Sequence, residues 1–529
     1  MIMKNYFMKS SMMLMAFAAV LAGCSQEDIQ QNASEQLSGK GLKLLVSTQD
    51  FVSDSQGRAI TNDDDKRTST FEDGDQMGLY IFSEEGDVLC DNLLYTYSEG
   101  KWTTDKTIYQ YKNAKYVAYF PYCKDLSSVT EATDITTYFE TNILPSISQT
   151  DAETYAQADL MVATTNEVTD EDVKLTLKHQ FSMIELNVPC RKYITQAGGF
   201  EYAAPVKMDV KINEKTDLYR VADGVYRMIV APGTTPTIVG SVEYDENMPI
   251  NFSSKSEGVT MNALAAGTFT QFNVTYTDPA VQGLPVDDAT GRYIRPLQPG
   301  DYYYSDGTIY PYTEGTVDQP ITEGCIGVIF EVGTGVPNTP WTHGSVLALH
   351  DSNGENGIDV WCKWGTAANT IATNIIADIT TPESKTELIN KKNGYAMSYS
   401  EELGSVEAIS KAKAYTVEVP GDNVTSGWYL PAMGQLLDVV AKLGGVTVSN
   451  TDNMTTRGTY SAAIAKISEA LVKVDGRATD GSGAYRWWST TEKGTDHVYT
   501  LVVNEGAVGD RTKYNSTGNE NYARPVLSF

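Results

Sequence analysis

Histidine is nearly missing from this chain: four residues, His179, His343, His350 and His497, among 529. No His-Glu-x-x-His, Gly-x-Ser-x-Gly or phosphate-loop pattern occurs, so the zinc-protease, serine-hydrolase and nucleotide-hydrolase chemistries have no motif behind them. Cysteine is sparse as well. The six residues, Cys24, Cys90, Cys123, Cys190, Cys325 and Cys362, include no Cys-x-x-Cys spacing, which excludes the usual zinc and thioredoxin-like arrangements. Basic residues number 40 against 68 acidic ones, a net charge of −28. A surface of that sign repels nucleic acid and anionic headgroups, so nucleic acid is not expected as a partner. Carboxylate pairs are too common in such a chain to mark a hydrolase. No enzymatic activity, cofactor or metal is expected.

What is present begins at the N-terminus. Lys4 and Lys9 precede an apolar run over residues 12–21, and small residues lead to Cys24. That is the layout of a removable export signal, and the run is too short to cross ~30 Å of hydrocarbon as a helix. Leu21-Ala22-Gly23-Cys24 resembles a bacterial lipobox, which implies acylation of Cys24 (palmitate among the chains) and a surface lipoprotein. Several acyl chains, at ~0.8 kcal/mol per buried CH₂, hold a soluble domain firmly on a membrane. Glu27-Asp28 resembles the signal that sends such lipoproteins to the outer surface of Bacteroidales.

The remaining length calls for two to four domains, and 43 glycines and 32 tyrosines lean toward β structure. Residues 25–40 are polar and read as a tether. Leu42, Leu44 and Val46 alternate with Lys43, Leu45 and Ser47, a short strand. Residues 51–70 hold few apolar groups and read as an exposed loop, the kind of place where proteases nick. Strands are expected at 79–82, 93–97, 115–119, 159–163 and 173–188, the last either as two strands or as one long bent one. His179 within it reads as a hydrogen-bonded core or edge group. Further strands are expected at 206–212, 225–232, 268–277, 325–330 and 345–350. Helical spacing appears at 434–443 and 456–474.

Four motifs follow one another in the order seen in Mfa-like fimbrillins, the type V pilins of Bacteroidales. They are Phe71-Glu72-Asp73-Gly74-Asp75-x-x-Gly78, Ala118-Tyr119-Phe120-Pro121-Tyr122, Asp159-Leu160-Met161-Val162-Ala163 and Leu177-Lys178-His179-Gln180-Phe181. Tyr226-Arg227-Met228-Ile229-Val230-Ala231-Pro232 resembles part of a second fimbrillin sandwich. Gly427-Trp428-Tyr429-Leu430-Pro431, Trp487-Trp488-Ser489-Thr490-Thr491 and Ala523-Arg524-Pro525-Val526 are similar to C-type-lectin-like domains. The implied fold is mainly β, with two tandem fimbrillin β-sandwich (transthyretin-like) domains followed by an α+β C-type-lectin-like domain. Its parts would be a lipoprotein signal at 1–24, the tether at 25–40, sandwiches at 41–190 and 191–280, and the lectin-like domain at 290–529. The calcium-binding loops of sugar-binding lectins are missing, and residues 351–357 match a calcium loop only superficially. No cysteine follows Cys362, so the related formylglycine-generating chemistry does not carry over.

The fimbrillin resemblance implies a pilus subunit, assembled after a trypsin-like protease removes the N-terminal strand so that a strand of a neighbouring subunit takes its place. Here the removed strand is expected at residues 42–46 and the cut after Arg58, with Arg67 as second choice. Residues 522–529 read as the last strand of the C-terminal domain, which leaves no spare donor and favours the tip over the stalk. The expected partners are other fimbrial subunits, a surface glycan or protein, and the outer membrane through the lipid. Trp361, Trp364, Trp487 and Trp488 are candidates for a ligand surface, since exposed aromatics mark interfaces; about half of the clustered aromatics are expected in the core. The competing class is a non-polymerising outer-membrane surface lipoprotein that binds glycan or host protein through residues 290–529.

Overall fold

The computed structural model describes residues 37–529 apart from 54–66, 68, 112, 127, 169–171, 223, 255–261, 276–278, 314–318, 334, 337–338, 353–360, 367–369, 372–373, 404–405, 422–423, 480–484 and 515–520, and for residues 37–40 it describes the backbone. Strands predominate, and the chain divides into two compact units.

The first unit comprises residues up to Ile184 together with Met228–Thr234 and Ala263–Thr270. Its strands are β1 (Leu37–Gly41), β2 (Leu44–Gln49), β3 (Val52–Ser53), β4 (Gln76–Phe82), β5 (Val88–Ser98), β6 (Lys101–Thr103), β7 (Tyr109–Tyr111), β8 (Lys115–Phe120), β9 (Met161–Thr165) and β10 (Val173–His179). Seven of them form one sheet in the order β2-β10-β9-β8-β4-β5-β6. Both faces of this sheet are covered. Met77, Leu79 and Ile81 of β4, Tyr116 and Ala118 of β8, and Val173, Leu175 and Leu177 of β10 lie in one apolar cluster. Tyr80, Phe82, Val117 and Tyr119 point the other way, into a second cluster with Ile135, Phe139, Phe181, Ile229 and Phe269. Burial on both sides is why β4 and β8 read as unbroken apolar runs rather than as alternating ones.

The turn before β4 follows from its residues. Glu72 N donates to the Asp75 carboxylate at 2.9 Å, Glu99 N donates to Asp73 at 2.9 Å, and Gly74 takes φ +106°, a conformation open to glycine. Gly78 has a different reason. It faces Tyr119 across the β4–β8 pairing, and a Cβ there would come within 2.0 Å of the tyrosine ring. That ring fills the glycine's place and donates its hydroxyl to Asn92 at 2.6 Å.

The second unit comprises Glu185–Arg227, Thr235–Asn262 and Gln271–Phe529. A five-stranded sheet runs Ile309–Tyr310, Tyr302–Tyr304, Cys325–Val332, Gly344–Ala348, Val526–Ser528, and a four-stranded one runs Ala507–Thr512, His497–Val502, Arg486–Glu492, Asn521–Tyr522. The helices Met433–Asp438 and Ser461–Val472 pack Leu436, Leu437, Ile464, Ile467 and Leu471 into the same core as Tyr302 and Trp487. The helical stripe at 434–443 continues past Asp438 as a π-helical turn, Val439–Leu443.

Two expectations need correction. Residues 191–280 do not stand as a unit of their own: Tyr193 and Tyr202 share a buried cluster with Tyr303, Ile329 and Phe529, so most of this stretch belongs with the C-terminal residues. About half of the clustered aromatics are expected in the core, yet Tyr302, Tyr303 and Tyr304 are all buried, because their strand is covered on both faces. The 173–188 stretch forms two strands, β10 and Ser182–Asn187. The five described cysteines are free thiols; burial pushes Cys325 and Cys362 up to about 12. Among the described residues no helix is long and apolar enough to cross a membrane, and no group of three or more His, Cys, Asp or Glu could hold a metal ion.

Candidate functional site

The N-terminal segment lies along the edge of the first unit and touches it at four successive places. β1 pairs antiparallel with β7, and Leu42 N donates to Ile108 O at 2.8 Å. β2 then pairs parallel with β10 over six residues, from Leu44 opposite Val173 to Gln49 opposite Lys178. It is the edge strand, and its pairing is the one parallel pairing in a sheet whose other strands run antiparallel. Leu42, Leu44 and Val46 turn inward against the apolar cluster of β4, β8 and β10, while Lys43, Leu45 and Ser47 face outward. The strand expected at residues 42–46 is thus displaced: Leu42 lies in the gap between β1 and β2, and β2 extends to Gln49.

Phe51 follows, and it is buried rather than part of an exposed loop. Its ring stacks on the His179 imidazole, with centroids 3.6 Å apart and planes 18° from parallel. His179 Nδ1 is 2.8 Å from Asp159 Oδ1, both side chains being buried. β3 then pairs in parallel with the strand Thr268–Asn273, Val52 opposite Thr268, and Val52 N donates to Gly267 O at 2.9 Å. Strand pairing of this kind supplies main-chain hydrogen bonds along its length, while the alternate inward side chains supply selectivity.

The sequence-predicted residues fall in different places. Cys24 and Arg58 lie outside the described residues. Arg67 is described, and its guanidinium sits 3.8 Å over the Phe269 ring. The proposed tryptophan surface does not assemble. Trp364, Trp487 and Trp488 are fully buried, each indole N–H donating inside the core, to Ser489 O at 2.8 Å, Tyr485 Oη at 3.0 Å and Cys362 O at 2.9 Å. They cannot meet a ligand. Trp361 is 49% exposed. Asp351, the first residue of the calcium-like loop, is buried and already engaged: Arg524 Nε donates to it at 2.9 Å, Tyr485 Oη at 2.7 Å and Arg477 Nη1 at 2.5 Å.

Sequence reading missed Phe51. A lone aromatic at the start of a polar stretch gives no periodic signal, and its partner His179 lies 128 positions later. Leu177-Lys178-His179-Gln180-Phe181 was the available hint. At the other end of the chain, Val526–Ser528 pairs with Gly344–Ala348 and bridges Tyr429, and Phe529 is buried 4.7 Å from Tyr303. The last strand is built into its own unit.

Comparison with known proteins gives these features a context. Residues 58–290 match the Mfa-like family, described as fimbrillin-like. The matched stretch begins after β3, so the whole N-terminal segment precedes it. A protein of Bacteroides ovatus that carries the provisional name fimbrium tip subunit Fim1C is 24% identical over 575 aligned positions, with 96% of each chain covered. The crystal structure of a fimbrial protein from Bacteroides ovatus ATCC 8483 is 19% identical, with a TM-score of 0.53, and covers 93% of this chain and 99% of that one. At that identity the likeness is one of fold.

Proposed function

We propose that this chain is a fimbrial subunit exported as a lipoprotein on acylated Cys24, whose N-terminal segment is a removable strand. The observation that carries the reading is β2: an edge strand whose inward Leu44 and Val46, with Leu42 just ahead of it, cover an apolar trough, and which precedes the fimbrillin-like stretch. A cut after Arg58 separates β1, β2 and β3 from the fimbrillin-like residues. Arg67 is the poorer site, because its guanidinium is packed on Phe269 and must be pulled away to enter a protease. Once the segment leaves, β10 presents unpaired backbone groups beside exposed leucine and valine side chains. An extended strand from a neighbouring subunit restores both, which makes its insertion strongly favourable.

The position in the fibre is read as the tip. The fimbrillin resemblance implies that a stalk subunit lends a strand to the next one, and here the strand Val526–Ser528 is committed to its own sheet. The provisional name of the Bacteroides ovatus relative points the same way. Residues 290–529 are read as the C-type-lectin-like end, turned outward as the adhesive part, with the half-exposed Trp361 as the remaining aromatic contact candidate.

Mass spectrometry of the mature N-terminus in sheared surface material tests the reading. A chain starting at Ala59, or at Thr68 for the second-choice site, is expected. Acylated Cys24 retained on all of the protein, with nothing shed, would instead mean a fixed surface lipoprotein that never polymerises.

A further inference from the structure

The groove filled by the N-terminal segment has two apolar faces, and one residue joins them. Leu42, Leu44 and Val46 pack on the cluster that contains Val173, Leu175 and Leu177. Phe51 belongs to the cluster on the opposite face of the seven-stranded sheet, with Tyr119, Phe181 and Phe269. Strand alternation from Val46 would turn residues 48 and 50 inward and residue 51 outward. Thr48 obeys it and donates its hydroxyl to Ser69 O at 2.9 Å. The parity then changes, because β2 ends at Gln49 on β10 while β3 begins at Val52 on a strand of a different sheet. Phe51 sits at that crossover.

The slot it fills is specific in shape and chemistry. Its floor is the flat face of His179, which is 4% exposed and held through Nδ1 by Asp159. His179 Nε2 has no hydrogen-bond partner among the described residues. A planar apolar ring shields this imidazole from water and fills the space. A small side chain leaves a cavity against Phe181 and Phe269, and a charged one has to be desolvated to enter it.

Resting on the reading of this groove as a strand acceptor, we infer that its occupant in the fibre is an extended segment of another subunit with a defined pattern. Three apolar side chains stand at alternate positions, and an aromatic ring follows five residues after the last of them to lie on His179. Residues 526–529 of a second copy do not supply it, since they are buried in their own unit and lack that spacing.

The test supplies the strand in trans, so that no variant has to fold around the change. The full chain, with one specific protease site inserted among residues 54–66, is cut and its N-terminal segment displaced with mild denaturant. Fluorescent peptides of residues 37–53 are then titrated by anisotropy. The native peptide and its Phe51→Trp form should bind within about tenfold of each other, while Phe51→Ala should bind roughly 100-fold more weakly, the scale of a lost buried phenyl ring. A His179→Ala chain should discriminate much less between the native and Phe51→Ala peptides, a coupling that general loosening of the groove would not produce. Phe51→Ala binding within threefold of the native peptide overturns the aromatic requirement and leaves the strand-acceptor reading intact. Failure of every peptide overturns both. A peptide of residues 521–529 that binds as tightly as the native segment overturns the assignment to another subunit.

Discussion

At the scale of single residues, the chain separates aromatic side chains that build the core from those that could meet a partner, and composition does not tell them apart. Trp361, Trp364, Trp487 and Trp488 look alike in sequence, yet three are fully buried with their indole N–H groups satisfied, and one is half exposed. Trp487→Ala should therefore destabilise the second unit by about 3–5 kcal/mol, the range for truncating a buried aromatic. Trp361→Ala should fall within ~0.5 kcal/mol of the parent, as for a surface substitution. Denaturant unfolding followed by circular dichroism checks both. A similar effect of the two changes would mean that Trp361 is also packed. The buried charges behave in the same context-bound way. Asp351 with Arg524, and Glu492 with Lys513, have side chains wholly removed from solvent, and each charge is tolerated there because its partner sits against it.

At the scale of elements, β2 and the strand Val526–Ser528 make opposite commitments. β2 is an edge strand held by one neighbour, β10, and its outward side, which includes Leu45 at 44% exposure, faces solvent. Such a strand can leave without dismantling the sheet behind it. Val526–Ser528 is held on one side by Gly344–Ala348 and by a bridge to Tyr429 on the other, and every residue from Val526 to Phe529 is buried. Deleting residues 526–529 should consequently abolish cooperative unfolding of the second unit, read by calorimetry. A segment reserved for a neighbouring subunit would instead come off with little change in stability, and that result would favour a stalk position over the proposed tip.

At the scale of the whole molecule, the charge of −28 sets how the chain meets surfaces. A protein this acidic is repelled by anionic bilayers, so the proposed lipoprotein reading requires any hold on a membrane to come from the lipid. Chain lacking the acyl groups should not cosediment with phosphatidylserine-containing vesicles at low salt, where electrostatics are least screened, whereas acylated chain should. Binding by the unacylated form would point to an apolar or basic membrane-facing patch instead.

The sequence by itself determined the periodic and local features. Alternation of Leu42, Leu44 and Val46 marked the N-terminal strand, the Glu72–Asp75 turn announced β4, and the helical stripes lay where the helices Met433–Asp438 and Ser461–Val472 formed. These are short-range consequences of backbone geometry and turn chemistry, and they survive in any fold. The tertiary structure alone decided which of those elements share a core. It grouped most of 191–280 with the C-terminal residues, turned three tryptophans inward and gave Asp351 to Arg524, Tyr485 and Arg477. It also placed Phe51 on His179, a contact between residues 128 positions apart. Burial and pairing over such separations depend on how sheets stack and where a strand crosses from one to another. Neither quantity is written in the local pattern of side chains.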